Sequence, residues 1–156
     1  MKSIALLTLT LLLSFGTLFA QQMGGEPFKG AEKIIARYDI ASDSLFNMLL
    51  KQITQHGYAI DRLEKDSMLI VTEMRPVIKK DKYKATISKY AMRLAIVDNT
   101  LTLSSACMYP DLKIKFHNAQ VVPLVYYPKG YPAKPTFNEV LAFVRATNPA
   151  SIAYAK

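Results

Sequence analysis

The segment from Tyr90 to Cys107 constrains the fold more than any other. Tyr90, Met92, Leu94 and Ile96 lie on one side of an alternating run that leads up to Asp98-Asn99, and Leu101, Leu103, Ser105 and Cys107 alternate away from it. A period of two is the signature of a strand with one buried face. Asp and Asn both tolerate the left-handed backbone that a two-residue hairpin turn requires. Closing the turn at Val97 and Thr100 sets Ile96 opposite Leu101, Leu94 opposite Leu103, Met92 opposite Ser105 and Tyr90 opposite Cys107. One face of the pair is then continuously apolar, and a slip of one residue would turn it to water.

The rest of the chain supplies what such a face needs. Ile34, Ala36, Tyr38 and Ile40 alternate as a first strand. Ser42 or Asp43 can cap a helix that Gly57 ends, and Leu45, Phe46, Met48, Leu49, Leu50 and Ile53 form its apolar arc. His56 stands at its C-terminus, where the helix dipole favours a cation. Tyr58 to Leu63 and Met68 to Met74 read as a hairpin around Glu64-Lys65-Asp66-Ser67. Leu112, Ile114 and Phe116 suggest a short alternating stretch, and Val121 to Tyr127 an apolar, partly extended one. From Tyr126 the sequence Tyr-Tyr-Pro-Lys-Gly-Tyr-Pro-Ala-Lys-Pro predicts a surface loop. Thr136 and Glu139 form a capping box for a closing helix whose stripe is Phe137, Val140, Leu141 and Val144, stopping before Asn148-Pro149.

These elements predict an α+β domain over 32–148. It is an antiparallel sheet of about five strands with two helices packed on one face, in the order β-α-β-β-β-β-α. A length of 156 residues, 51% of them hydrophobic and 21% charged, suits one such core and argues against a disordered chain. Residues 21–31, with Gly24, Gly25, Pro27 and Gly30, read as a flexible leader, and 149–156 as a C-terminal tail.

Residues 1–20 stand apart. Lys2 gives a basic start, Ile4 to Phe15 an apolar run, and Ala20 a small residue at a cleavage position, which together read as a secretory signal peptide. The mature chain would start at Gln21 in the periplasm or outside the cell, with no membrane span left. No cysteine follows the apolar run, so no lipid anchor is expected. Cys107 is the only cysteine, which forbids an internal disulfide. The formal net charge of +8 falls by one when Lys2 leaves with the leader. The chain stays basic, and exported basic proteins meet anionic glycans, lipid head groups or acidic envelope proteins rather than nucleic acid.

The order of elements resembles a TATA-binding-protein-like fold, and in particular small exported bacterial domains of unknown function that share it. The phrase Gly57-Tyr58-Ala59-Ile60-Asp61 leading into Ser67-Met68-Leu69-Ile70-Val71-Thr72 is familiar in such envelope domains. A similar order occurs in domains of an outer-membrane assembly lipoprotein, whose lipidated cysteine this chain lacks. The resemblance implies a fold and an envelope setting, and DNA binding is not carried over with it.

Chemistry-bearing residues are few. His117 has no partner at ligand spacing, so no metal or other cofactor is expected. Cys107 and His117 form a nucleophilic pair only if they meet in space, and the hairpin register instead sets Cys107 on the apolar face as a small hydrophobe. With no nucleophile elbow and no paired carboxylates, the sequence predicts a protein that is not an enzyme. Two surfaces suit binding. Lys79, Lys80, Lys82 and Lys84 flank Tyr83 in a basic run. Tyr126, Tyr127 and Tyr131, stiffened by Pro128 and Pro132, offer rigid amphipathic area, or else fold back to cover the sheet edge. The sequence thus predicts a binding or structural module of the bacterial cell envelope. The alternative is a carrier that holds a small apolar ligand between helices and sheet.

Overall fold

The computed structural model describes residues 22–23, 25–77, 89–108, 121–129 and 133–156. In chain order its elements are β1 (Gln22–Met23), β2 (Lys33–Arg37), α1 (Ser42–Gln55), β3 (Ile60–Glu64), β4 (Leu69–Thr72), β5 (Arg75–Pro76), β6 (Lys89–Val97), β7 (Thr100–Met108), β8 (Val121–Pro123), α2 (Ala133–Ala146) and β9 (Ser151–Ala155). They form an α+β domain with one antiparallel sheet in the order β1-β9-β2-β7-β6-β4-β3, with β5 added to β6 and β8 to β7.

The β6–β7 hairpin lies at the centre and has the register its sequence dictates. Ile96 faces Leu101, Leu94 faces Leu103, Met92 faces Ser105 and Tyr90 faces Cys107, and all eight side chains are buried. Asp98 takes the left-handed conformation at the turn, with φ of 53°. Both helices cover this face. Leu45, Phe46, Leu49 and Ile53 of α1 and Phe137, Val140, Leu141 and Val144 of α2 join Ile34, Ile70, Leu94, Leu103 and Tyr154 in one core cluster. Burying each of these large side chains contributes about 1.5–3 kcal/mol. The Tyr38 hydroxyl bonds Thr147 Oγ1 at 2.6 Å, and Thr147 Oγ1 donates to the Val144 carbonyl at 2.6 Å, which ties the end of α2 to the strand side.

Four sequence expectations are corrected. The sheet holds nine strands among the described residues rather than about five, because β1, β5, β8 and β9 add to the expected set. Residues 149–156 are not a tail: β9 pairs along the whole of β2 and buries Ala153, Tyr154 and Ala155. Nor are 21–31 a loose leader throughout, because Gln22–Met23 pairs with β9, Ala31 is buried, and Gly30 N–H donates to the Tyr126 carbonyl at 2.8 Å. Neither helix is capped as expected. The position before α1 is Ala41 without a side-chain cap, and the Ser42 hydroxyl donates instead to the Asp98 carbonyl at the hairpin turn. Thr136 is buried within α2, which already starts at Ala133, and Glu139 accepts a bond from across the sheet. The end of α1 does follow the sequence, with Gly57 at φ of 72°.

One core position is flawed. Ser105, opposite Met92, has a buried hydroxyl with no hydrogen-bond partner among the described residues. An unsatisfied buried hydroxyl costs about 1–3 kcal/mol. Ser105→Ala is therefore expected to leave stability unchanged or raise it by about 1 kcal/mol in urea denaturation, whereas most core substitutions lower it. A loss of stability in Ser105→Ala would mean that the hydroxyl has a partner after all.

Candidate functional site

Two arrangements of polar side chains stand out, one on each side of the sheet. On the helix side, the start of β6 meets α1 and α2. Tyr90 points inward next to Tyr58, and its hydroxyl donates to Glu139 Oε1 at 2.9 Å. With that proton committed, the Tyr58 hydroxyl is the donor in the 2.9 Å Tyr58–Tyr90 bond. Burial pushes the Tyr90 hydroxyl far above the ordinary tyrosine range, and the bonds to Tyr58 and Glu139 push it further in the same direction. The Arg75 guanidinium lies 4.3 Å from the centre of the Tyr58 ring and donates to the His56 carbonyl at 3.4 Å. A cation is thereby placed at the negative end of α1. His56 and Tyr58 both meet Phe143 edge-on, with ring centres 5.7 and 5.9 Å apart.

This network lies beside a recess of about 480 Å³ lined by Val77, Lys134, Pro135, Asn138, Glu139 and Ala142. Its two tyrosine hydroxyls donate within the network, and Lys134 Nζ donates to the Pro128 carbonyl at 3.2 Å. The arrangement fastens α2 to the sheet. It presents neither an activated nucleophile nor a second carboxylate, and among the described residues no His, Cys, Asp or Glu cluster gathers at metal-binding spacing.

The opposite face of the sheet carries no helix among the described residues. Strand alternation sends Ala91, Arg93, Ala95 and Val97 of β6 and Thr100, Thr102, Ser104 and Ala106 of β7 to this side, and Val97 is 71% exposed. The strand registers align one row across five strands: Lys33 on β2, Ser104 on β7, Arg93 on β6, Val71 on β4 and Arg62 on β3. Cations thus stand on alternate strands, about 10 Å apart given a strand spacing of about 4.8 Å. Ser104 and Val71 lie between them. Lys33, Ser104, Arg93 and Val71 of this row line a depression of about 470 Å³ whose floor is apolar, with Ala91, Ala106 and Pro123, and Glu32 stands beside Lys33 in the same lining. Arg93 is exposed and has no ion pair or hydrogen bond among the described residues. Lys33 Nζ donates to the Lys156 main-chain oxygen at 3.0 Å, and Arg62 sits 3.6 Å from Glu64 in an exposed pair. Exposed contacts of this kind contribute little and exchange readily with a ligand.

The residues singled out from sequence fall differently. Tyr126 is buried and packs against Phe137 with ring centres 5.2 Å apart, so it covers the core rather than presenting a surface. Tyr127 is half-buried. Lys79, Lys80, Lys82, Lys84, Tyr131 and His117, and the stretch Leu112 to Phe116, lie outside the described residues. Cys107 is buried, with its thiol 3.8 Å from the Pro123 carbonyl. Lys33, Arg93 and Arg62 were not legible as a group, because they are scattered through the sequence and only the sheet register aligns them. Ser104 and Val71 hold the same row on the strands between, so no repeated basic position marks it.

No family model matches the chain, and no curated protein matches it in sequence. No helix among the described residues is long and apolar enough to cross a membrane.

Proposed function

We propose that the chain is an exported, non-enzymatic binding module of the bacterial cell envelope that grips an anionic envelope component through the open face of its sheet. The observation that carries this reading is the row Lys33, Arg93 and Arg62, held at regular spacing by the strand register, with Lys33 and Arg93 lining a floor of small and apolar side chains. A sheet face of small residues admits a ligand close to the backbone, and fixed cations orient its negative groups. Export rests on the basic start, the apolar run Ile4 to Phe15 and Ala20.

The carrier alternative has less support. The space between helices and sheet is filled by Leu45, Phe46, Leu49, Phe137, Leu141, Leu94 and Leu103, whereas the apolar depression opens on the other face.

The test is photocrosslinking in the native cell from Thr102, on the open face, with the captured partner identified and then measured against variants. Lys33→Glu combined with Arg93→Glu is expected to weaken binding by about tenfold or more at low salt and less at high salt. Binding untouched by the double variant, but lost in Tyr127→Ser, would move the interface to the proline-rich segment.

A further inference from the structure

We propose that the depression on the open face binds single molecules of an amphiphile, with an anionic head held at Arg93 and a short apolar tail lying over Ala91 and Ala106. The inference rests on the reading above and deepens it, because it names the ligand class of the same face. Two neighbouring rows of the sheet carry it. Arg93 faces Ser104 on β7, and Ser104 faces Lys33 on β2. The next outward pair on β6 and β7 is Ala91 and Ala106, with Pro123 of β8 facing Ala106. Successive outward positions stand about 7 Å apart along a strand. A polar row thus runs directly beside an apolar one, and both line the same depression of about 470 Å³. Small-molecule sites are hollows of about 300–1,000 Å³, mostly apolar, with a few polar groups that fix the ligand's orientation.

Each row supplies one half of an amphiphile's chemistry. Ala91 and Ala106 do not project beyond Cβ, so a tail lies close to the backbone between Val71 of β4 and Pro123 of β8 and runs on toward Val121, which is 54% exposed. Covering these side chains removes apolar surface from water. The Arg93 guanidinium is exposed, and its planar fork of donors matches a carboxylate or phosphate. The Ser104 hydroxyl, on the strand beside it, is a donor for the same head. Lys33 adds attraction from the far side of Ser104, although its Nζ also donates to the Lys156 main-chain oxygen. Glu32 stands next to Lys33 in the lining and centres the head on the Arg93 side. A polyanion would engage the cations without needing the apolar floor, and a neutral lipid would leave Arg93 against hydrocarbon. An amphiphile engages both rows.

The protein as the cell processes it would be labelled at its alanine methyl groups and titrated with decanoate and with decyl phosphate, each below its micelle concentration. Saturable shifts of the Ala91 and Ala106 methyl signals are expected from at least one of them, and the stronger binder identifies the head as carboxylate or phosphate. Acetate and inorganic phosphate are expected to leave both signals in place. Arg93→Gln is expected to weaken binding by about tenfold or more. Ala91→Phe points away from the core and raises the floor, so it is expected to abolish binding in a chain that circular dichroism shows to be folded. Equal binding of decyl maltoside, whose head is neutral, would overturn the proposal. So would shifts caused by inorganic phosphate alone, shifts seen only with phospholipid vesicles, or signals that respond to neither probe. If a crosslinked partner is still lost in the Lys33→Glu, Arg93→Glu variant in those cases, the open-face reading stands and this ligand alone falls.

Discussion

Truncation after Ala150 is expected to leave the chain unfolded. β9 is the strand on which β2 closes: Lys33–Arg37 is paired along its full length by β9 on one side and β7 on the other. Removing it strips the ladder from Ile34 and Ala36, both fully buried, and takes out Tyr154, which is 1% exposed. Truncating one buried aromatic to Ala costs about 3–5 kcal/mol. A domain of this size has about 5–15 kcal/mol in total. Tyr154→Ala should thus leave a folded but weakened protein, with its urea midpoint lowered in proportion. The loss of the whole strand adds orphaned backbone groups on β2 and exceeds what the rest can offset. Circular dichroism and urea titration decide the matter, and a truncated chain with an unchanged midpoint would show that 151–155 lie loosely on the sheet.

That strand marks where the sequence stops being legible. The β6–β7 register could be read to the residue because turn chemistry and hydrophobic alternation coincide within one local segment. β9 offers only Ile152 and Tyr154 among small residues, just after Asn148-Pro149. Five residues are too few to display a period, and the strand's partners lie more than a hundred positions earlier, at Ile34 and Ala36. The helix caps failed for a related reason. Ser42 and Glu139 have the chemistry of local caps, but each spends its side chain on a group far away in sequence, the Asp98 carbonyl and the Tyr90 hydroxyl. Local rules describe a side chain's options, and tertiary packing selects among them. The candidate site follows the same logic. Beside its prolines Tyr126 could serve as a surface anchor or fold back as a cover, and only tertiary packing decides, because Phe137 takes its ring into the core. Lys33, Arg93 and Arg62 are far apart in sequence, and only the register sets them in one row.

The buried tyrosines lead to an expected alkaline unfolding. Tyr38, Tyr90 and Tyr154 are all nearly inaccessible, and burial raises the hydroxyl of each above its ordinary value of 10.0. At Tyr38 the bond to Thr147 opposes that rise, and at Tyr154 the nearby Arg145 does. Nothing offsets it at Tyr90, where burial, Tyr58 and Glu139 all act in one direction. A group whose proton is held more tightly in the folded chain stabilises the fold fully below its unfolded pKa and loses that stabilisation as pH rises beyond it. Stability should therefore be flat with respect to these tyrosines at neutral pH and fall above about pH 10. Tyr90, where every cause acts in one direction, should contribute most to that fall, at no more than about 1.4 kcal/mol per pH unit above about pH 10. Urea titrations at neutral and alkaline pH should show the midpoint falling above about pH 10. Tyr90→Phe leaves Tyr58 and Glu139 without their shared partner, so it should be less stable at neutral pH, yet its stability should fall less steeply with alkali. If the variant and the unsubstituted chain lose stability with the same slope above about pH 10, Tyr90 is ionising in the folded state and the network around Glu139 is open to water.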